Sequence, residues 1–255
     1  MAPPMQLTDL NWPAVDRLSK DIPVIIPVAA LEQHGHHMPV FTDSMLLGEI
    51  AKRASQRLGE RALWAPLMWL GNSDHHLDFA GTLSAPPRVY LDLLNGMIDN
   101  FVRHGFRRIV FLNGHGGNDV PGKQAIFEAR QRYRERADLL LLFATYWNLA
   151  NPKAAEPGLH QSEMAHACEW ETSMVLRIAP HLVGDYAALQ PVPSGHPFEP
   201  AARGWITKDR TVTGHIGSPQ FATAEKGERL FSIFTDGVVN LLERAIAWDG
   251  KSWHG

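Results

Sequence analysis

Residues 31–44, LEQHGHHMPVFTDS, carry Glu32, His34, His36, His37 and Asp43 immediately after an uncharged apolar run. These side-chain types hold transition metals or move protons near neutral pH. Glu32 and His34 are two positions apart, so in an extended segment both leave on one face and can share a pocket. Asp43 lies at the start of a helical pattern, where free N–H groups stabilise a carboxylate whose two oxygens can still bridge two cations. His36 and His37 read as loop neighbours of that pocket.

Further polar clusters follow. GNSDHH, residues 71–76, ends on His76, and NGHGGN, residues 113–118, sets His115 among glycines that let backbone approach a ligand closely and ends on Asn118. Trp147, near the end of an apolar stretch, could wall a small planar substrate. HACEWETS, residues 166–173, places His166 and Glu169 three apart, hence on one face of an expected helix, with Glu171 directed elsewhere in a supporting role. Each feature alone has a plain structural use: Asp43 as a cap, Glu32 as a loop carboxylate, Gly116 and Gly117 as a turn. Cys168 reads as a small half-buried thiol, not a nucleophile.

The elements that must position these groups alternate. Apolar, β-rich stretches at 22–30, 61–69, 107–112 and 138–147 are separated by helical patterns at 45–58, 86–104 and 122–137. Such alternation predicts a mostly parallel sheet covered by helices on both faces, with ligands bound beyond the carboxyl ends of the strands. The polar clusters fall at those ends. A further helix is expected over 162–178, loop or hairpin over 191–217, and a long helix over 224–248 interrupted near Gly237. No linker or repeat divides the chain, so one domain over 1–255 is expected.

Composition narrows the function classes. A net charge of −3 with 20% charged residues offers no surface for a polyanion, so no nucleic-acid partner is expected. No apolar run is long enough to span a bilayer and the N-terminus lacks a secretory pattern, so a soluble, cytoplasmic protein without a membrane partner is expected. A single cysteine leaves histidine and carboxylate to hold any metal. GNDVPGKQ, residues 117–124, approaches the phosphate-loop pattern, but Gln124 lacks the magnesium-binding hydroxyl and Pro121 lacks an N–H. No G-x-S-x-G elbow is present.

The motifs together resemble the creatininase (creatinine amidohydrolase) family. LEQHGHHMPVFTDS resembles its E-Q-H-G-x-H-x-P-x-x-T-D signature, NGHGGN its N-G-H-G-G-N loop, HACEWETS its H-A-G-E-x-E-T-S segment and GNSDHHLDFAGTLS its G-x-S-x-x-H-x-x-F-P-G-T segment. The resemblance implies a three-layer α/β/α sandwich, two divalent metal ions per chain (zinc or manganese, with iron also compatible) and a homohexamer. By position, Glu32 and His115 would hold one metal, His34 and Glu169 the other, and Asp43 would bridge them. His166 resembles the family's proton carrier, with Glu171 orienting it; His76, Trp147 and Asn118 are candidate substrate contacts.

Gly117 stands where creatininase itself has a glutamate, and Glu169 where creatininase is apolar, which argues against creatinine as the substrate. Cys168 and Ala80 also depart from the family's Gly and Pro. The implied activity is a metal-dependent hydrolysis of a non-peptide, possibly cyclic, C–N amide bond in a small molecule, through a hydroxide bridging the two metals. The alternatives are a catalytically silent metal-binding scaffold and a phosphate-loop nucleotide binder.

Overall fold

The computed structural model describes residues 3–253; Met1, Ala2, His254 and Gly255 of the expected domain lie outside the described residues. Strand β2 (Val24–Val28) is buried along its whole length and lies at the centre of a five-stranded parallel sheet. Its neighbours are β3 (Leu63–Trp64) on one side and β4 (Arg108–Asn113) on the other. β1 (Met5–Gln6) and β5 (Leu140–Thr145) form the edges, giving the order β1-β3-β2-β4-β5. β2 and β4 pair without a break from Val24–Ile109 to Val28–Asn113, so the two chains leave the sheet side by side.

Alternate residues of these strands feed two separate cores. Ile25, Val110 and Leu112 face helices α2 (Thr42–Leu58), α6 (Glu169–Ile178) and α7 (Ala224–Ala247). Val24, Ile26, Val28, Ile109 and Phe111 face α3 (Pro87–Arg103) and α4 (Asp119–Arg132). The short helices α1 (Trp12–Arg17) and α5 (Pro152–Ala155) complete the set. This is the three-layer α/β/α arrangement, and burial on both faces explains why the strands read as continuous apolar runs. No helix among the described residues is long and apolar enough to cross a membrane.

Three elements depart from the sequence expectation. Strand β3 covers only Leu63–Trp64 of the expected 61–69. Ile25, Pro27 and Ala29 turn their backbone polar groups toward β3, and Pro27 has no N–H to offer there. Pairing resumes only at the isolated Val28–Met68 bridge, where Met68 N donates to Pro27 O and Ala29 N to Met68 O, both at 2.9 Å.

Helix α7 runs unbroken through Gly237. A Cβ at that position would lie 2.7 Å from the carbonyl oxygen of Leu149, so the glycine permits close helix-to-loop packing without breaking the helix. Helix α6 begins at Glu169, well after residue 162, because Ala167 adopts a left-handed conformation (φ 52°) that turns the chain just before it.

Candidate metal centre and its cleft

The carboxyl ends of β2, β4 and β5 converge with the 72–76 segment and the N-termini of α2 and α6 on one buried cluster. Glu32, His34, Asp43, His115 and Glu171 are each no more than 5% exposed. Glu32 and His34 extend from β2, Asp43 sits in the first turn of α2, His115 follows β4 and Glu171 sits in the first turn of α6. Four overlapping triads bring donor atoms within 4.8 Å of one another: Glu32–His34–Asp43, Glu32–His75–His115, Glu32–His76–His166 and His34–His166–Glu171.

The hydrogen bonds of two histidines define what the cluster holds. His34 Nδ1 lies 3.0 Å from the carbonyl oxygen of Glu32, and His115 Nε2 lies 2.9 Å from that of Asn72. Each ring must donate to its carbonyl, so in the neutral tautomer the other nitrogen is a bare lone pair. Those nitrogens face carboxylates: His34 Nε2 is 3.1 Å from Asp43 Oδ1 and 3.8 Å from Glu171 Oε1, and His115 Nδ1 is 2.9 Å from Asp43 Oδ2 and 3.4 Å from Glu32 Oε1. Lone pair against carboxylate repels unless a proton or a metal cation lies between them. Glu32 Oε2 and Asp43 Oδ2 are buried without a hydrogen-bond donor. Three buried carboxylates with bare imidazoles opposite them fit divalent cations, and N/O donors suit zinc, manganese or iron(II).

The same field sets the protonation tendencies. Burial opposes charge on His34, but Asp43 and Glu171 outweigh it and raise its pKa well above the usual histidine value; for His115, Glu32 and Asp43 outweigh burial in the same way. Burial would raise Glu32, yet His115, His76 and His166 hold it well below the usual carboxylate range. Burial raises Glu171 despite the nearby His34. Burial and the adjacent His34 and His76 depress His166 well below 6.5, so its ring is neutral at pH 7.

Glu169 is not brought to the cluster. It is fully buried, but Oε1 accepts from Lys226 Nζ at 2.6 Å and from His160 N at 3.0 Å, while Oε2 accepts from Gln161 N at 2.7 Å. The expected helical i,i+3 pairing with His166 does not form. His166 precedes α6 and pairs in an extended bridge with Ile216. The turn at Ala167 directs Glu171 inward, where Oε2 accepts from Ala167 N at 2.5 Å and Oε1 faces His34. Glu171 therefore occupies the place the sequence assigned to Glu169.

His166 Nε2 lies 2.8 Å from the Gln33 carbonyl oxygen and Nδ1 lies 3.5 Å from Glu32 Oε1, on the wall of the cleft. His76 is buried beside it, with Nε2 3.4 Å from Glu32 Oε1 and Nδ1 2.8 Å from both Gln33 Nε2 and Thr207 Oγ1; burial pushes its pKa down to about 3. Trp147 lines the cleft. Asn118 does not. Its side chain accepts from Asn72 N and donates to Ala29 O and Asn113 Oδ1, tying together three loops under the site.

His75 was not singled out by sequence, although GNSDHH contains it. Its ring stacks on His115 at 5.9 Å between centroids and joins the Glu32–His115 triad. His37 is buried, with Nε2 2.9 Å from Thr172 Oγ1, and so ties the 31–44 loop to α6; His36 is exposed. Burial pushes the Cys168 thiol up to about 12, which removes it as a nucleophile. The phosphate-loop-like segment is helical from Asp119, and Lys123 is paired with Asp119 at 2.5 Å, so no open anion cradle forms.

Above the cluster lies a cavity of about 720 Å³. Its floor is Glu32, Asp43, His115 and Glu171, and its walls include Trp147, Val120 and His166. That volume suits a small molecule or a short peptide segment.

A family model for creatininase, described as creatinine amidohydrolase, matches residues 8–242. The chain belongs to the creatininase family. Creatinine amidohydrolase of Pseudomonas putida is 28% identical over 250 residues, covering 92% of this chain and 94% of that protein. A mycofactocin precursor peptide peptidase of Mycobacterium ulcerans is 28% identical over 246 residues, covering 92% and 86%. Among solved structures, a creatininase mutant complexed with creatine superimposes with a TM-score of 0.81 at 26% identity, covering 95% of this chain and 99% of that one. A Zn–Zn creatininase mutant and a manganese creatininase each give a TM-score of 0.80, at 27% and 26% identity and with 94% of this chain covered, against 97% and 98% of theirs.

Within this family Gly117 has a structural reason. A Cβ there would lie 2.1 Å from the Asn72 carbonyl oxygen and 2.5 Å from His115 Nε2, directly in the hydrogen bond that orients His115. The close approach of Asn72 to His115 thus excludes a side chain at 117, and the third carboxylate of the cluster, Glu171, comes from α6.

Proposed function

We propose that this chain is a binuclear metal-dependent amidohydrolase that cleaves a C–N amide bond in a small molecule. The observation that carries the reading is the pair His34 and His115, each spending one ring N–H on a backbone carbonyl and aiming its second nitrogen at the shared carboxylate Asp43. Glu32, Asp43 and His115 would hold one divalent ion, and His34, Asp43 and Glu171 the other. Zinc, manganese or iron(II) bound there would polarise the amide carbonyl and acidify water.

The protein's own groups then define the rest. His166 is neutral, lines the cleft and has its Nε2 directed at the Gln33 carbonyl, so Nδ1 is the atom free to take a proton and return it to the leaving nitrogen. Gln33 Nε2 donates to Gly214 O at 2.9 Å, which ties the residue whose carbonyl receives His166 Nε2 to the 214–216 segment. Trp147 and Val120 wall the cleft.

Relatives named for a creatinine amidohydrolase and for a peptide peptidase support C–N cleavage as the common chemistry. The cavity volume accommodates small cyclic amides, formamides or similar small amides. A homohexamer in the cytoplasm completes the reading, and light scattering after gel filtration tests the assembly. The function itself is tested by a hydrolysis screen of the metal-loaded protein over cyclic ureides, lactams, formamides and short peptides, with Asp43→Ala as the blank. Turnover above the blank on a small amide is expected; none on any class would leave a metal-binding scaffold.

A further inference from the structure

The mouth of the cleft carries two arginines with no acidic partner. Arg203 and Arg210 both line the cavity from the 193–217 segment. Neither forms an ion pair among the described residues. Arg210 is half-buried; its Nη2 donates to the carbonyls of Pro193 and Ser194, and its Cζ lies 4.9 Å over the Trp205 ring. Its Nε and Nη1 have no acceptor among the described residues. Arg203 makes no hydrogen bond among the described residues and lies 5.6 Å over Phe198. The nearby carboxylate at this rim, Glu163, accepts from Ser194 Oγ at 2.9 Å and reaches neither guanidinium as an ion pair.

Ring contacts connect this rim to the cluster below. Arg210 covers Trp205, Trp205 meets His75 edge-on at 5.0 Å, and His75 stacks on His115. Because the floor residues and both arginines line one cavity, an extended molecule seated on the floor can reach the arginines without leaving the cleft. Arg203 is exposed at the mouth and Arg210 half-buried beneath it, and guanidinium groups with free N–H forks in a concave site recognise carboxylate or phosphate oxygens in pairs.

We infer that this rim is an anion subsite: the substrate carries a carboxylate or phosphate group remote from its scissile amide, and Arg203 and Arg210 receive it. The inference rests on the hydrolytic reading of the floor but concerns binding, and the two can fail separately.

The test uses non-hydrolysable methyl ketones that mimic an acetylated amine, in a series of increasing chain length from levulinate upward, with the phosphonate analogue and the corresponding neutral hydroxyketone of each. Each is titrated calorimetrically into the metal-loaded wild type, Arg203→Gln and Arg210→Gln, and hydrolysis of the matching amides is followed in parallel. The wild type should bind an anionic ketone about tenfold more tightly than the neutral one, as one charge-assisted pair provides. The anion that binds more tightly identifies carboxylate or phosphate as the group received.

That preference should fall several-fold or more in at least one arginine variant. Arg210→Gln also removes bonds to the 193–194 backbone, so Arg203→Gln, which breaks no hydrogen bond, guards against a loop that merely loosens. Preference without hydrolysis of these amides, or of any class in the broader screen, would sustain the subsite and remove the amidohydrolase reading. Hydrolysis without preference, or a preference unchanged in both variants because the anion sits on the metals, would overturn the subsite.

Discussion

Exchanging one carboxylate at a time on α6 separates the two glutamates that sequence spacing confuses. Glu171→Gln removes a charge whose Oε1 faces His34 Nε2 at 3.8 Å, while its retained carbonyl oxygen can still accept from Ala167 N. One of the two proposed metal positions would lose an anionic ligand, so metal content after dialysis should fall from about two ions per chain toward one, because each ion of a two-metal centre depends on its own ligands. Glu169→Gln instead strips the counter-ion from Lys226, which is 15% exposed. Breaking a buried pair costs about 3–5 kcal/mol, but Lys226 keeps the Phe221 carbonyl at 2.7 Å, so about 2–3 kcal/mol is expected here. At ~2–4 °C per kcal/mol for a chain of this size class, the melting temperature should drop by about 5–10 °C. Elemental analysis and calorimetric melting of the two variants give the answer: metal loss belongs to Glu171→Gln and thermal loss to Glu169→Gln. Metal loss in Glu169→Gln with full metal in Glu171→Gln would refute the assignment.

Three further outcomes follow from the geometry. His166→Ala should keep its metal and lose turnover by about 10²-fold or more, checked by elemental analysis beside an amide assay; a variant that retains turnover removes His166 as proton carrier. Gly117→Ala places a methyl between Asn72 O and His115 Nε2, and should lower metal affinity by about 10-fold or more, measured by competition with a chelator. Glu228, bonded by Arg53 and then Arg177, has its pKa lowered from 4.5 to about 2, so its stabilisation is full above pH 4.5 and fades as pH falls toward 2. The carboxylate is 44% exposed, so solvent screening reduces its worth to about 1 kcal/mol or less, and the melting difference between wild type and Glu228→Gln should shrink from pH 6 to pH 3.

The layered fold was legible because burial on both faces leaves a simple mark: Val24–Val28 and Arg108–Asn113 are apolar at nearly every position, and caps and turn residues separate them from helices. The first loop was legible because Glu32, His34 and Asp43 lie close together in the chain. What sequence could not supply was conformation at single residues. Ala167 adopts φ 52° with no glycine to announce it, and that one turn shifts the start of α6 and brings Glu171, not Glu169, to the cluster. Pro27 looked compatible with a buried strand, yet its missing N–H is what ends β3 early. Gly237 read as a break, although its purpose is contact with Leu149, a residue nearly ninety positions away. His75 comes from a single 3-10 turn and Arg203 and Arg210 from a long loop segment, and only the folded chain brings them over the cluster.

The central claim is a binuclear centre shared through Asp43. Crystals of the metal-loaded protein, with anomalous difference maps recorded at the absorption edge of the bound metal, test it directly. Two peaks are predicted, one among Glu32, Asp43 and His115 and one among His34, Asp43 and Glu171. A single peak, a peak at Glu169, or no peak at the cluster would contradict the account.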